Sequence, residues 1–414
     1  MGLAVMDATL NGDAVGLRCD EGVIAEVGPG VSAAAGDEVI DGAGMALVPG
    51  LINAHTHAAM TLFRGFADDL PLMEWLEEHI WPAEARLEPE HVYWGTRLAC
   101  AEMIRTGTVA FWDMYWHPEA VARAVEDAGL RAVVAVPLID GGDPESARAK
   151  AEEALDLVRE SPSGRVRAGF APHALYTVGP DSLRWVAERA AERGVSVQIH
   201  LSETRDEVEN CIAEHGVRPA VHLDRAGLLG PSTILAHGVW LDEAELDLIA
   251  ERGATVVTNP VANLKLAVGG LFPYPAARER EVPMGIGTDG PGSNNSLDLL
   301  SDLKTFALLQ KNAAFDAAAV DAGETLRLGR GEMSDLLRSP ALGAGDPADF
   351  LLVRSDSPEL ALGELDAGLV YAASGSIVDT TVVAGRALMR RGEVEDAAEA
   401  AARAKECAFE IGVP

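Results

Sequence analysis

Five residues with metal-binding side chains fall at the C-terminal ends of apolar, strand-like runs. They are His55 and His57 in "PGLINAHTHAAM" (49–60), His200 in "VSVQIHLSE" (195–203), His237 in "TILAHGVW" (233–240) and Asp289 in "VPMGIGTDG" (282–290). An H-x-H pair on a strand puts both imidazoles on one face, because side chains alternate with period two. Three histidines and a carboxylate make a zinc-type ligand set that leaves a position for water. A lone histidine on a strand is most often a hydrogen-bonded structural residue, but five polar residues sharing one strand-end placement call for a common explanation. His173, in "VRAGFAPHAL" (166–175), is a sixth polar candidate in that placement. Glu203 stands three residues beyond His200 in "HLSE". A glutamate that is not itself a ligand suits the acceptance of a proton from an activated water and its return to a leaving group. The remaining histidines, His79, His91, His117, His215 and His222, lie in helical or loop contexts and read as surface or structural residues.

These residues need a scaffold that brings distant strand ends together. Apolar runs begin at residues 51, 108, 131, 166, 195, 233, 255 and 282, each followed by a helical pattern. "PDSLRWVAERAAERG" offers Asp181 as an N-cap and Gly194 as a stop, and "DEAELDLIAERG" is built likewise. Eight strands alternating with helices predict an α/β fold, a (β/α)8 TIM barrel whose catalytic face is formed by the C-terminal strand ends. A doubly wound open sheet is the alternative, but no G-x-G-x-x-G follows the first strand. Residues 1–48 read as short strands and turns, and a similar texture returns in "ADFLLVRSD" and "GSIVDTTVVAGRALMRRGEV". The expected division is a barrel over 49–344 and a small composite β-sandwich from 1–48 plus 345–414, with the alanine-rich end forming a terminal helix.

At 414 residues with 48% hydrophobic content, the chain can bury a large core. Acidic residues outnumber basic ones 65 to 33, for a formal charge of −32. That balance excludes nucleic acid and anionic membrane surfaces as natural partners, since both recruit Lys and Arg. Only five of the basic residues are lysines, a pattern of either high-salt cytoplasm or an arginine-favouring, GC-rich genome. The four cysteines form no C-x-x-C pair, so neither a disulfide framework nor a cysteine-rich zinc site is expected. The N-terminus lacks a basic leader region and no uncharged apolar run has a membrane-spanning length, so a cytoplasmic protein is expected.

The chain resembles the amidohydrolase superfamily, and within it the deaminases of 5′-methylthioadenosine and S-adenosylhomocysteine. The likeness runs through "PGLINAHTH", "HLSE", "AHGVWL", "NPVANLKL" and "GTDGPGSNNSLD" in family order. It implies a barrel with a composite sandwich, and one divalent metal per chain, zinc with Fe2+ as the alternative, on His55, His57, His200 and Asp289. By the same resemblance His237 hydrogen-bonds the metal-bound hydroxide and Glu203 shuttles its proton, with Asp289 also counted as catalytic. The bridging lysine of binuclear relatives has no counterpart in "RVRAGFAPHALYT", which implies a mononuclear site. For the substrate, Trp75 matches an aromatic contact, Glu84 in "W-P-A-E" a carboxylate for the ribose hydroxyls, His173 and Ser293 pocket positions, and Arg148 an arginine reaching the 5′ substituent. The implied reaction converts an adenosine-type nucleoside to its inosine analogue plus ammonia, in a homo-oligomer. Departures include Ala262 at an often-serine position, the absence from "RAVVAVPL" of the arginine that some relatives carry there to approach a homocysteine carboxylate, and an atypical stretch around residues 323–350. Alternatives are guanine, a cytosine-like base or a chlorinated triazine as substrate, or a non-catalytic barrel.

Overall fold

The computed structural model describes residues 2–337 and 341–414; residues 338–340 of the atypical stretch lie outside the described residues. The chain opens with five strands, β1 (Leu3–Leu10), β2 (Asp13–Asp20), β3 (Val23–Gly28), β4 (Glu38–Asp41) and β5 (Met45–Pro49). Eight more follow: β6 (Leu51–Thr56), β7 (Thr108–Met114), β8 (Arg131–Leu138), β9 (Val166–Pro172), β10 (Ser196–Leu201), β11 (Thr233–His237), β12 (Thr255–Thr258) and β13 (Met284–Ile286). These eight lie parallel in sequence order, each hydrogen-bonded to the next, with helices between them. Along strands such as "TVVT" and "TILAH" every residue is buried, because both faces are covered.

The last ladder is missing between β13 and β6, and side-chain bonds with one backbone bond replace it. Asn53 Nδ2 donates to Thr288 Oγ1 (2.7 Å), the Thr288 amide donates to Asn53 Oδ1 (3.0 Å), and the Asp289 amide donates to the His55 carbonyl (3.1 Å). The approach is so close that a Cβ on Gly287 would come within 2.6 Å of the His55 carbonyl oxygen. Only glycine fits there.

Helix boundaries follow local chemistry. Glu243–Arg252 starts in a reciprocal capping box between Asp242 and Glu245 and stops at Gly253, which is left-handed (φ 73°). Pro180–Arg193 stops at Gly194 as expected, but its N-cap is Gly179 and Asp181 lies in the first turn. Pro180 takes the first helical position because its fixed φ suits it and its missing N–H costs nothing there.

Beyond the barrel come β14 (Phe350–Arg354), β15 (Val378–Val383), β16 (Arg386–Arg390) and β17 (Glu393–Val394). They join the first five strands in one mixed sheet, ordered β17-β16-β15-β14-β5-β1-β2-β3 with β4 on β1. The two chain ends meet where β5 pairs antiparallel with β14, Val48 opposite Leu351. The sheet turns back on itself: the Ile24 amide donates to the Asp346 carbonyl and the Ala348 amide to the Gly22 carbonyl. Leu3, Val5, Leu17, Phe350 and Leu352 form its own core. The helix Ala397–Glu410 buries Ala404 and Cys407 in the same cluster as the barrel. All four cysteines are buried and unpaired. Among the described residues no helix is long and apolar enough to cross a membrane.

One ion pair ties the barrel to the mixed sheet. Arg131, the first residue of β8, grips Asp349 through Nε (2.6 Å) and Nη2 (3.1 Å), and Asp349 Oδ1 also accepts the Ala384 amide (2.7 Å). The Asp349 side chain is only 4% exposed, so removing its cation strands a buried charge. Arg131→Ala is expected to cost about 2 kcal/mol, read as a lower thermal midpoint; an unchanged midpoint refutes the tie.

Candidate functional site

The five strand-end residues converge on one point at the C-terminal mouth of the barrel. Donor atoms of His55, His200, His237 and Asp289 all lie within 4.8 Å of one another. His57 completes the ring, its Nε2 3.3 Å from His200 Nε2 and 3.2 Å from Asp289 Oδ1. The H-x-H pair does not lie wholly within a strand. His55 is in β6, whereas His57 follows it and opens a short 3-10 turn, Ala58–Phe63.

Each imidazole is oriented by its other nitrogen. His57 Nδ1 donates to the Met114 carbonyl (2.6 Å) and His200 Nδ1 to the His173 carbonyl (2.8 Å). His55 Nδ1 faces Gln198 Oε1 (3.0 Å) and His237 Nδ1 faces Asn263 Oδ1 (2.8 Å). With Nδ1 committed as donor, a neutral ring presents its Nε2 lone pair to the centre, the arrangement that metal-bound histidines use. Burial holds the rings neutral: it lowers the His55 and His173 imidazoles to about 4 and takes His200 well below its ordinary value. For His57 burial also opposes the charge, but the Asp289 carboxylate and the Met114 carbonyl outweigh it and raise the ring to about 9.

Such a centre is unfavourable without a cation. His55 Nε2 is wholly buried and makes no hydrogen bond, the nearest carboxylate oxygen being Asp289 Oδ1 at 3.4 Å. The His57 and His200 Nε2 atoms lie 3.3 Å apart, and with both rings neutral their lone pairs would face each other unless a cation took them up. Nitrogen and carboxylate donors, no thiolate, and an orphaned buried acceptor fit one divalent metal of the zinc type.

Asp289 is aimed by the loop that carries it. It follows β13 with a left-handed backbone (φ 59°), and Ser293 Oγ donates to its Oδ2 (2.6 Å), leaving Oδ1 toward His55 and His57. Asn294 Nδ2 bonds the Thr288 carbonyl (2.7 Å) and the buried Asp302 carboxylate (3.1 Å), which fixes the loop. His237 and Ser202 are also left-handed (φ 78° and 53°). Non-glycine residues hold that conformation where their surroundings impose it, commonly at functional sites.

Glu203 lies beside this centre, its Oε2 3.8 Å from His237 Nε2. Burial, with the Asp289 charge adding to it, raises its carboxyl to about 8, so it carries a proton at neutral pH. Glu207 fixes its backbone by accepting the Ser202 amide (2.8 Å) and the Glu203 amide (2.9 Å).

A cavity open at the barrel mouth is lined by His57, His200, Glu203, His237 and Asp289. Four expected substrate contacts, Trp75, Glu84, His173 and Ser293, lie on it. Trp75 and Glu84 come from one helical stretch, Leu72 to Glu84, whose middle turn Trp75–Ile80 is wound as a π-helix. Tyr115 donates to Glu84 Oε1 (2.7 Å), and His173 Nδ1 bonds Thr177 Oγ1 (3.0 Å). Arg148 is not brought to the cavity: it sits on the outer helix Pro144–Arg159, where its Nε donates to Ser182 Oγ (3.0 Å).

Sequence reading missed the residues that orient the others: Gln198, Asn263, Asp113 and Glu207. Asp113 Oδ1 accepts the Ala58 amide (2.7 Å) and so holds the turn that begins at His57. Gln198 alone had a readable signal, because it precedes His200 by two positions on one strand and shares its face.

Fold and site together define a metal-dependent hydrolase on a (β/α)8 barrel. The chain belongs to the amidohydrolase family, whose model matches residues 46–388. It is similar to a 5′-deoxyadenosine deaminase of Methanoregula boonei, with 47% identity over 88% of this chain and 86% of the relative. A 5-methylthioadenosine/S-adenosylhomocysteine deaminase of Haloarcula marismortui is 44% identical over 89% of this chain and 87% of its own length. Among solved structures, an adenosine deaminase from Xanthomonas campestris with bound zinc superposes with a TM-score of 0.92 and 36% identity, covering 99% of this chain and 98% of that one.

If Gln198 holds His55 in its binding tautomer, Gln198→Leu should weaken zinc affinity roughly 10–100-fold, measured by competition with a chromogenic chelator. Equal affinity in the variant and the parent chain would show that His55 needs no such support.

Proposed function

We infer that this protein is a zinc-dependent hydrolase that deaminates an adenosine-type nucleoside to its inosine analogue and ammonia. The candidate substrates are 5′-deoxyadenosine, 5′-methylthioadenosine, S-adenosylhomocysteine and adenosine. The observation that carries the reading is Glu203, a buried carboxyl next to a convergent His and Asp centre and inside a cavity that also holds Glu84. Relatives named as deaminases of such nucleosides support it, at 44% to 47% identity.

In this reading His55, His57, His200 and Asp289 hold the metal. Zinc, when bound there, supplies the Lewis acidity that makes water a nucleophile near neutral pH. His237, oriented by Asn263 and lying 3.8 Å from Glu203, hydrogen-bonds the attacking oxygen. Glu203 gives its proton to N1 of the adenine ring as the nucleophile reaches C6, takes a proton from the nucleophile, and delivers it to the departing amino group. A carboxyl that titrates near neutrality suits this exchange, because it must act as acid and then as base within one turnover.

Trp75 packs against the nucleoside, and Glu84, steadied by Tyr115, accepts the ribose hydroxyls. His173 and Ser293 line the same pocket, with the Ser293 hydroxyl already committed to Asp289. Arg148 has no part in this pocket, and its bond to Ser182 leaves the 5′ substituent without that contact. The enzyme is taken to work in the cytoplasm, in keeping with four unpaired cysteines.

Ammonia release from 5′-deoxyadenosine by the zinc-loaded chain tests the reading directly. Glu203→Gln should retain zinc and lower kcat by roughly 10²–10⁴-fold; retained turnover assigns the proton transfer elsewhere. Glu84→Gln should raise KM for ribosides by about tenfold or more, and KM values that do not move would remove Glu84 from the ribose site.

A further inference from the structure

We propose that Lys265 is a positioning residue for substrate binding: with Asp68 and Asn295 it forms a clasp that seats residues 64–84 over the cavity mouth. The proposal rests on the nucleoside-deaminase reading and concerns how that site is assembled.

The segment supplies a large part of the cavity wall, through Leu72, Trp75, Leu76, Ile80, Trp81 and Glu84. It leaves the barrel after the turn Ala58–Phe63 and runs irregularly as far as Leu72. In that irregular stretch the Lys265 ammonium donates to Asp68 Oδ1 (2.7 Å), Asn295 Oδ1 (3.1 Å) and the Gly292 carbonyl (3.1 Å). All three of its protons are thereby used. Asn295 Nδ2 donates to the other Asp68 oxygen (2.6 Å), so both carboxylate oxygens are engaged as well. The Gly65 amide reaches Asn295 Oδ1 at 3.4 Å.

The cluster joins three parts of the chain: the segment itself, the helix Pro260–Lys265, and the loop after β13. The helix also carries Asn263, which orients His237, and the loop also carries Ser293, which orients Asp289. The segment is thus fastened to the same pieces that place the catalytic groups.

Backbone geometry supports an imposed conformation. Ala67 (φ 54°), Asp69 (φ 65°) and Asn295 (φ 68°) are all left-handed, the first two flanking Asp68. Conformations of this kind persist where several contacts fix them. The Lys265 and Asp68 side chains are 22% and 27% exposed, so salt screens this pair less than a fully solvated one. Directly beneath, Trp75 packs on the Gly292 backbone, where a Cβ would lie 3.1 Å from Trp75 Cζ2. At its far end the segment is held independently, by the bond from Tyr115 to Glu84. Opening the clasp therefore loosens Trp75 and its neighbours while the metal centre stays built.

The test measures kcat and KM for 5′-deoxyadenosine, zinc content, and backbone hydrogen exchange of residues 64–84. It compares the zinc-loaded parent chain with Lys265→Met, Asp68→Asn and the double variant. Each single change should raise KM roughly tenfold, with kcat within about threefold and zinc unchanged, and the double variant should be no worse than either single one. Exchange in 64–84 should quicken in all three while the barrel strands keep their protection. Lys265→Arg, which retains charge and donors, should recover most of the loss in KM. The near-isosteric Asp68→Asn decides the matter if Lys265→Met does not fold. A KM within about twofold of the parent in Asp68→Asn, or effects that multiply in the double variant, overturns the proposal. A parent chain that turns over none of the nucleosides overturns the functional reading and with it the substrate role of the clasp. Unchanged exchange, which needs no substrate, overturns the clasp itself.

Discussion

The contact from the Asp289 amide to the His55 carbonyl closes the barrel at the point where the polar centre is built. Every other strand of the ring is held by a ladder to its neighbour, but here the last strand is short and the join is made by Asn53, Thr288 and one glycine that lets two backbones touch. Two ends of a long chain must therefore find each other before a histidine and a carboxylate can share anything. Hydrogen bonds buried in this seam are strong because no water competes for them. The join is structural and functional at once, and loosening it would pull donor atoms apart directly.

From that seam outward the site is a set of committed nitrogens. Two histidines use backbone carbonyls and two use amide side chains, so no imidazole is free to rotate. Glu203 is treated in the opposite way. Its side chain is buried with a like charge nearby, which keeps the proton on, while its backbone is clamped by Glu207. Neutral rings at His55 and His200 and a carboxyl at Glu203 able to give up a proton are thus produced by similar burial acting on different chemistry.

The fold was legible because apolar strands and capped helices alternate with plain punctuation, and the strand starts read at residues 51, 108, 131, 166, 233 and 255 are where strands begin. The strand ends were read too long. "VPMGIGTDG" suggested a strand reaching past Asp289, whereas β13 is only Met284–Ile286 and Asp289 follows in a left-handed turn. Apolar patterning cannot register where a ladder stops, and at a barrel mouth the working residues sit just past that point. The orienting partners were harder to see, since the Met114 and His173 carbonyls belong to the backbone and leave no signature in residue type. Arg148 matched a position by resemblance, but where a long side chain on an outer helix points depends on its neighbours, here Ser182.

The pairing of β5 with β14 bears on how the molecule comes into being. Val48 and Leu351 meet across nearly the whole length of the barrel, so β5, made before the barrel begins, waits for a strand made after the barrel ends. Contacts this far apart in sequence form slowly. On the ribosome β1 to β5 emerge first and stay without their β14 neighbour until the barrel has been made, leaving an open sheet edge of the kind that recruits other chains. Residues 1–49 carry eight acidic residues against one arginine, which sets mutual repulsion against such encounters. The acidity that looks like a property of the finished surface therefore also protects the half-made chain, during the interval when its first strands have no partner.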